Sequence, residues 1–185
     1  MLRTNSQIKL STYLKSNFIY FDTDFSNGTP RFTMILKNCN NCPDKTLESC
    51  VYFYWDCMEA KTYFTKNVAS WCKEYQYNSP VIMRLLNYIN ATLWMTSSDG
   101  ANGLLYDSSI LYTPRIFITE DNFDITITTI INYDFYEIAP LETEDYITAY
   151  CPELLDKLSP AIFSLLTEKI TLEQAMQYID EISNN

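Results

Sequence analysis

The chain has 185 residues, of which 47% are apolar and 15% aromatic, which is typical of a folded domain with a sizeable core and excludes a disordered chain. It has three glycines and no histidine, which excludes glycine-rich phosphate loops, Ser-His-Asp triads and the usual histidine-bearing zinc sites of hydrolases. Its net charge is −10: residues 1–95 carry ten Lys/Arg and seven Asp/Glu, a net of +3, and residues 96–185 carry three and sixteen, a net of −13.

The first predicted elements are a short helix and a β-hairpin. Residues 6–16 place apolar side chains at loosely helical spacing and predict the helix. Two apolar, partly alternating runs, 18–25 and 31–37, flank a turn that contains Asn27-Gly28. Because Asn and Gly accept the positive φ angles of a tight turn, we expect the two runs to pair as antiparallel strands.

The middle of the chain predicts a loop followed by two helices. Residues 38–50 are polar and contain three cysteines, which favours a loop, and the apolar run 51–55 fits either a third strand or the start of a helix. Residues 56–75 carry apolar side chains at spacings of three and four, which predicts a helix. Ser79-Pro80 then predicts the start of a helix that ends before a loop at 96–103. The apolar face of this helix comprises Ile82, Leu85, Leu86, Ile89 and Leu93.

The region from 110 to 138 predicts β-structure throughout. Its β-branched and aromatic residues favour a strand at 115–119, a turn at 120–122 and a longer strand at 123–133. One face of the longer strand comprises Phe123, Ile125, Ile127 and Thr129.

The rest of the chain predicts helices. One helix covers 152–158, a second restarts at Ser159-Pro160, and a Thr171 to Gln174 capping box opens the last one. The apolar stripe of the last helix comprises Leu172, Ala175, Met176, Ile179 and Ile182. These elements predict an α+β fold, in which antiparallel β-hairpins form a small sheet packed against three to five helices, in one domain spanning 1–185.

The cysteines come nearest to a motif. Cys39 and Cys42 form a C-x2-C pair, and together with Cys50 and Cys57 they are weak candidates for a four-thiolate zinc site. The alternative is buried or idle thiols, because zinc ribbons usually present two close pairs. A redox role for Cys39 and Cys42 is disfavoured by sequence, since a redox pair normally opens a helix and Cys42-Pro43 lies in a predicted loop.

Acidic residues also form two groups. Asp22 and Asp24 share one face of a predicted strand, and Glu142, Glu144 and Asp145 cluster in a predicted loop. Paired carboxylates could act as general acid and base or hold Mg²⁺. A solvated face, or charges that protect an edge strand, explains them equally well.

A dense aromatic run predicts a contact surface. Tyr52, Phe53, Tyr54 and Trp55 are consecutive, so they cannot all face one core. We expect Tyr52, Tyr54 and Trp55 to anchor an interface with another chain, because Tyr and Trp bury large areas while keeping a polar group. A core in which tyrosine hydroxyls reach water is the alternative. The expected acidic rim of the interface comprises Asp121, Asp124, Glu142 and Glu144.

These features favour a non-enzymatic subunit of a larger protein complex. With few glycines, no histidine and many Tyr and Asn residues, the chain resembles in general character small virion components such as phage neck or tail connector proteins, although no motif carries the resemblance. An acidic inhibitor or decoy that binds a basic or nucleic-acid-binding partner is the first alternative, and a zinc-stabilised module or metal-dependent enzyme the second. We expect no cofactor, and other protein chains as partners in a homo- or hetero-oligomer. The acidic second half disfavours nucleic acid as a partner.

The expected location is the cytoplasm or a virus particle. The N-terminus shows no secretion signal, and no apolar run approaches the roughly 18 to 20 residues that cross a bilayer. We therefore expect neither secretion nor a membrane span.

Overall fold

The computed structural model describes residues 2–92, 114–119 and 123–183. In these residues a six-stranded antiparallel sheet forms the centre of the fold. The strands are β1 (Phe21–Ser26), β2 (Thr29–Lys37), β3 (Thr46–Phe53), β4 (Cys57–Phe64), β5 (Arg115–Ile118) and β6 (Ile125–Asn132). Across the sheet they lie in the order β1-β2-β3-β4-β6-β5, so β6 separates β4 from β5.

Helices precede and follow the strands. They are α1 (Leu2–Ser16), α2 (Lys66–Lys73), α3 (Ser79–Thr92), α4 (Tyr133–Ile138), α5 (Pro140–Asp145), α6 (Cys151–Leu166) and α7 (Leu172–Ser183). A 3-10 turn, Gln76–Asn78, precedes α3, and a π-helical turn, Tyr146–Tyr150, joins α5 to α6. The α+β class expected from the sequence is confirmed. Of the described helices, none is long and apolar enough to cross a bilayer.

One hydrophobic core joins a single face of the sheet to the helices. Alternate side chains of β3 and β4 enter it, and every fully buried Leu, Ile or Phe contributes roughly 1.5–3 kcal/mol. We call this side of the sheet the covered face. Its core members include Phe32, Met34, Leu47, Val51, Phe53, Met58, Phe64, Ile116, Ile125 and Ile127 from the strands, with Leu10, Ile82, Leu85, Leu155, Leu158, Ile162 and Ile179 from the helices.

The remaining strand positions form the opposite side, which we call the open face. Because side chains alternate along a strand, cross-strand partners share a face, and the register brings Arg31, Tyr52 and Glu59 into one row. Among the described helices only α2 borders this face, at one end. The open face includes Asp22, Asp24, Arg31, Thr33, Ile35, Glu48, Cys50, Tyr52, Cys57, Glu59, Lys61, Tyr63, Arg115, Phe117, Thr126, Thr128 and Ile130.

The first hairpin agrees with its prediction. Asn27 and Gly28 both have positive φ, 50° and 79°, as a tight turn between β1 and β2 requires. Gly28 is the position where the absence of a Cβ matters, because L side chains are strained at that φ.

Two predictions in the middle of the chain are wrong. The segment 46–50 belongs to β3 and is not a loop, and residues 57–64 form β4 and not a helix. The error has a simple cause, since Ala60 and Phe64 lie four residues apart and this spacing fits both a helix and one face of a strand. Helix formation begins only at α2, where Thr65 Oγ1 accepts a hydrogen bond from the N–H of Val68.

Two further predictions in the second half are also corrected. Residues 133–138 form α4 and not a strand, because Asn132 Oδ1 accepts the N–H of Asp134 at 2.7 Å and caps a helix there. Pro160 does not restart a helix but lies inside α6. Next to it, Ser159 Oγ donates to the carbonyl oxygen of Leu155 one turn earlier, at 2.7 Å.

Other helix predictions are confirmed. A helix covers 6–16, α3 buries Ile82, Leu85, Leu86 and Ile89, and the capping box of α7 forms. The predicted loop at 96–103, the turn at 120–122 and Leu93 lie outside the described residues.

Candidate functional site

A groove on the open face brings together charged and aromatic side chains from several strands and from α2. It has a volume of about 460 Å³ and lies between the central strands and α2. Four cations line it, in a chain whose net charge is −10, together with two carboxylates and four aromatic residues, of which Phe64 is buried and the other three are named next. These residues are Arg31, Lys61, Lys66 and Lys73, then Glu48 and Asp124, then Tyr52, Tyr63 and Phe117.

Tyr52 lies between two of the cations. The guanidinium carbon of Arg31 is 5.6 Å from the centre of the Tyr52 ring, and Lys61 Nζ is 5.1 Å from it. Arg31 also donates from Nη1 to the Tyr52 hydroxyl at 3.2 Å. Because cations are attracted to aromatic faces, these contacts hold both positive charges at the groove.

Carboxylates at the margin of the groove orient the same cations. Asp24 on β1 makes a bidentate ion pair with Arg31, with Nε to Oδ1 at 2.7 Å, and this pair lowers the pKa of Asp24 below its ordinary value. Glu59 accepts from Thr128 Oγ1 at 2.8 Å and pairs with Lys61 at 3.3 Å. The polar side chains of the open face are therefore mostly ordered by one another.

The two carboxylates inside the groove, Glu48 and Asp124, are partly buried, and their pKa values are raised. Burial raises the pKa of Glu48 above its ordinary value, and it also raises the pKa of Asp124. The positive charge of Lys66 opposes both shifts, and Lys73 opposes the shift of Asp124. Lys66 thus lies close to two partly desolvated carboxylates, and the groove as a whole presents a mixed surface with an excess of cations.

Trp55 lies at the end of β3, beyond the residues that line the groove. It occupies the turn between β3 and β4, closed by a hydrogen bond from Tyr54 N–H to the carbonyl oxygen of Cys57 at 2.9 Å, and 88% of it is exposed. Tyr52 and Tyr54 stack with ring centres 6.1 Å apart, so aromatic surface runs from the groove to the turn. A second cavity of about 680 Å³ lies beside Trp55 and the start of α1.

The structure brings some of the predicted interface residues together. Tyr52 and Asp124 line the groove, and Tyr54 stacks on Tyr52, whereas Trp55 lines the second cavity. Glu142 is exposed on α5, within the helical layer and not on the open face. Asp121 lies outside the described residues.

The placement of Glu144 on an acidic rim is wrong. Glu144 is only 5% exposed and accepts a hydrogen bond from the Tyr136 hydroxyl at 2.6 Å. The cause is the short helix α5, which turns Thr143 and Glu144 towards the core. Burial raises the pKa of Glu144 above its ordinary value.

The other acidic residues are each engaged by a separate partner. Asp22 accepts from the Tyr20 hydroxyl at 2.9 Å, and Asp24 is held by Arg31. Asp145 accepts from the Tyr13 hydroxyl at 2.7 Å. These carboxylates therefore do not converge on a common substrate or ion.

The four candidate zinc ligands are divided between two sides of the sheet. Cys50 and Cys57 point to the open face, where Cys50 Sγ contacts the Tyr63 hydroxyl at 2.9 Å. Cys39 and Cys42 lie in the loop between β2 and β3, and Cys42 Sγ contacts Ser159 of α6 at 3.3 Å. No group of three or more metal-ligating side chains occurs within residues 2–92, 114–119 and 123–183.

Sequence reasoning missed the groove itself. The sequence does not single out Phe117 or the groove lysines. It predicts a helix at Lys61, and nothing in it shows that Lys66 and Lys73 of α2 lie beside the sheet. The signal that could have found Lys61 is period-two alternation: Glu59, Lys61 and Tyr63 alternate with buried Met58, Ala60, Thr62 and Phe64.

Comparison with known proteins adds no relative. No family model, curated protein or solved structure matches the chain.

Proposed function

We propose that the chain is a non-enzymatic assembly subunit whose open face docks the acidic helical layer of a second copy. The observation that carries this proposal is the groove with four cations on the open face of a chain with net charge −10. Oppositely charged surfaces steer association and fix its register. An acidic protein surface is therefore the occupant that the groove fits best.

The chain itself carries such a surface. The helices from α4 to α7 and the turn between α6 and α7 expose many carboxylates and two lysines, Lys157 and Lys169. The exposed carboxylates comprise Asp134, Glu137, Glu142, Glu153, Glu168, Glu173, Asp180 and Glu181. This acidic layer and the groove lie on opposite sides of the sheet, so one copy cannot bring them together within itself.

Trp55 supplies an apolar anchor for the same contact. A tryptophan that is 88% exposed at a hairpin turn leaves a large apolar area in water, and tryptophan is enriched among residues that dominate binding energy. Exposed Ile130 and partly exposed Phe117 add apolar area to the open face. A contact between unlike surfaces is heterologous, and it produces a ring when its rotation closes and a filament when it does not.

The test is the mass of the full chain in solution by light scattering, at low and high salt. We expect a mass above that of the monomer at about 20 mM NaCl that falls towards the monomer at about 500 mM, because salt screens exposed charges. Lys66→Glu should weaken self-association at least about tenfold at low salt, and Trp55→Ala should weaken it at both salt concentrations.

Lys15→Glu is the matched control, since it makes the same change of charge at an exposed site on α1. It should leave self-association unchanged. A chain that is monomeric at every concentration and salt, or an oligomer that Lys66→Glu and Trp55→Ala leave intact, would contradict the proposal.

The exposed carboxylates of the acidic layer also favour a second candidate, an acidic inhibitor or decoy for a basic partner. The same measurement separates the two. A monomer that binds a basic protein, with affinity lost on Glu142→Lys and kept on Lys66→Glu, would identify the decoy. A place in a virus particle, as a neck or tail connector, stays a prediction of the sequence.

A further inference from the structure

The loop between β2 and β3 has a defined shape. Three backbone hydrogen bonds close it: Cys39 N–H to Lys45 O at 3.2 Å, Cys42 N–H to Cys39 O at 3.2 Å, and Lys45 N–H to Cys42 O at 3.1 Å. Asn38 and Lys45 at its two ends both have positive φ, 70° and 56°. Residues 39–42 therefore form a tight turn that holds the two cysteines of the C-x2-C pair at its first and fourth positions.

This turn brings the two cysteines close together. The backbone hydrogen bond from Cys42 N–H to Cys39 O closes the turn, and both side chains lie buried on the side of the loop that packs towards α6. A turn of this kind brings its first and fourth Cα atoms within about 7 Å, and a disulfide spans Cα atoms about 4.4–6.8 Å apart. We infer that Cys39 and Cys42 form a redox-active dithiol that closes to an intramolecular disulfide by exchange with a small disulfide such as oxidised glutathione.

The loop is anchored so that the thiols stay together. Asp156 of α6 accepts the backbone N–H groups of Asn41 and Cys42, both at 3.0 Å, and the side-chain amide of Asn41 at 3.0 Å. Cys42 Sγ also lies 3.3 Å from Ser159 Oγ. Helix α6 therefore holds the turn in place through Asp156, in addition to the backbone hydrogen bonds within the loop.

The two cysteines have different roles in the exchange. Cys39 is 8% exposed and Cys42 is 4% exposed, so Cys39 is the more accessible residue of the pair. The side chain of Cys42 lowers the pKa of Cys39, although burial opposes the shift, while the side chain of Cys39 and burial raise the pKa of Cys42. Cys39 is accordingly the attacking thiolate and Cys42 the resolving thiol.

The chemistry balances in two steps. The Cys39 thiolate attacks one sulfur of oxidised glutathione, forms a mixed disulfide and releases one glutathione thiolate. Cys42 loses its proton to solvent, attacks the Cys39 sulfur, closes the protein disulfide and releases the second glutathione thiolate, which takes up a proton. The protein dithiol is oxidised and the glutathione disulfide is reduced, with two electrons transferred.

The other four cysteines provide the contrast. Cys50 contacts the hydroxyls of Thr33 and Tyr63, and burial raises the pKa of Cys57, Cys72 and Cys151. The thiols of Cys57, Cys72 and Cys151 are therefore poor nucleophiles, and the loop pair is the one C-x2-C in the sequence.

The experiment uses tryptic mapping, for which the sequence is well suited. Trypsin cleaves after Lys37 and Lys45, so both loop cysteines fall within one peptide, residues 38–45. The native chain is incubated in glutathione buffers of increasing oxidation, quenched in acid, alkylated and digested. We expect this peptide to lose two alkylation sites and two hydrogen atoms about tenfold faster than any other cysteine is modified. Cys42→Ser should instead retain glutathione on Cys39, because no resolving thiol remains.

Cys72→Ser is the control, since it removes another buried thiol and should leave oxidation of the peptide unchanged. Because a cysteine variant could fail to fold, the wild-type measurement decides alone. If peptide 38–45 stays alkylated as long as the peptides that contain Cys72 and Cys151, or becomes oxidised only in denaturant, the inference is wrong.

Discussion

The hydroxyl of Tyr136 on α4 and the carboxylate of Glu144 on α5 meet inside the helical layer. Tyr136 is fully buried, Glu144 is 5% exposed, and their oxygens are 2.6 Å apart. Burial raises the pKa of Glu144, and the hydrogen bond from Tyr136 opposes that shift because it favours the charged form. The hydrogen bond from Tyr136 and the positive charge of Lys9 therefore favour the charged form of this carboxylate, against the effect of its burial.

We predict that Tyr136→Phe lowers the free energy of unfolding by about 1–3 kcal/mol near neutral pH. A carboxyl with a raised folded pKa stabilises the fold fully below its unfolded pKa, and this contribution is lost as pH rises through the folded pKa. Removal of the hydroxyl raises the folded pKa of Glu144 further and extends that loss to higher pH. The difference between variant and wild type, measured by urea unfolding, should therefore be larger at about pH 8 than at about pH 5.5.

Tyr133→Phe is the matched control. It removes the same group from a side chain that is 2% exposed, but the acceptor of Tyr133 is the uncharged carbonyl oxygen of Tyr54, at 2.8 Å. Its cost should not change with pH. Equal pH dependence in the two variants would contradict the role assigned to Glu144.

For individual residues, the sequence indicates which side chains are exposed better than which are buried. Trp55 could be predicted at a surface because four consecutive aromatic residues cannot share one core. Glu144 could not be placed, because its burial requires a tyrosine eight residues earlier in a helix that the sequence assigned to a strand. Cys39 and Cys42 lie close together because of backbone hydrogen bonds within a loop, and the spacing of apolar residues does not reveal such bonds.

Helix α7 begins with a complete capping box. Thr171 N–H donates to Gln174 Oε1 at 2.9 Å, and Gln174 N–H donates to Thr171 Oγ1 at 3.3 Å. The helix packs against α3 and α6 and buries Ala175 and Ile179 completely. The cap therefore stabilises an element that is part of the core.

Thr171→Ala should lower the free energy of unfolding by about 0.5–2 kcal/mol, because a helix N–H then loses its acceptor. Chemical unfolding of the full chain measures this change. Thr12→Ala, an exposed threonine within α1 that bonds to the Ile8 carbonyl oxygen, is the control and should be neutral or slightly stabilising. A neutral Thr171→Ala would show that packing alone holds α7.

The sequence predicts a helix, strand or turn correctly where the spacing of its apolar residues, or its turn and cap residues, fit only one kind of element. The Asn-Gly turn, the face of α3 and the capping box have single interpretations. Helix α4 has a strand-like composition, and only the cap by Asn132 reveals the helix. In β4, apolar residues four positions apart fit both the helical period of about 3.6 residues and the strand period of two. This segment forms a strand because it pairs with neighbouring strands, and the sequence does not show that pairing.

Charge is unevenly distributed over the whole molecule. Basic side chains gather in the groove, while exposed carboxylates dominate the outer surface of the helices from α4 to α7. Repulsion among like charges on one layer destabilises the folded chain, and salt screens it. Added salt should therefore raise the stability of the folded chain and weaken its self-association.

We predict that added NaCl raises the melting temperature at neutral pH. A gain on the order of 1 kcal/mol corresponds to about 2–4 °C for a chain of this size. Glu142→Lys, at an exposed position of the acidic layer on α5, reduces the net negative charge by two and should reduce the effect of salt. A melting temperature that falls with salt, in step with dissociation, would show that assembly and not charge repulsion controls stability.

The order of strands is the feature of the whole molecule that the sequence least predicts. The two predicted hairpins are joined into one sheet by β3 and β4, and β6 lies between β4 and β5. The long sequence separation between β4 and its partner β6 leaves no local pattern. The α+β class could be predicted because it needs only the types of the elements.

The sheet ends in two strands that resist extension. At one edge β1 carries the carboxylates of Asp22 and Asp24, and at the other β5 has four residues. Charged or very short edge strands are poor templates for a further strand. Crowded copies of this chain should therefore associate through faces, as reversible units that salt can separate, and should resist the strand-by-strand growth that leads to fibrils.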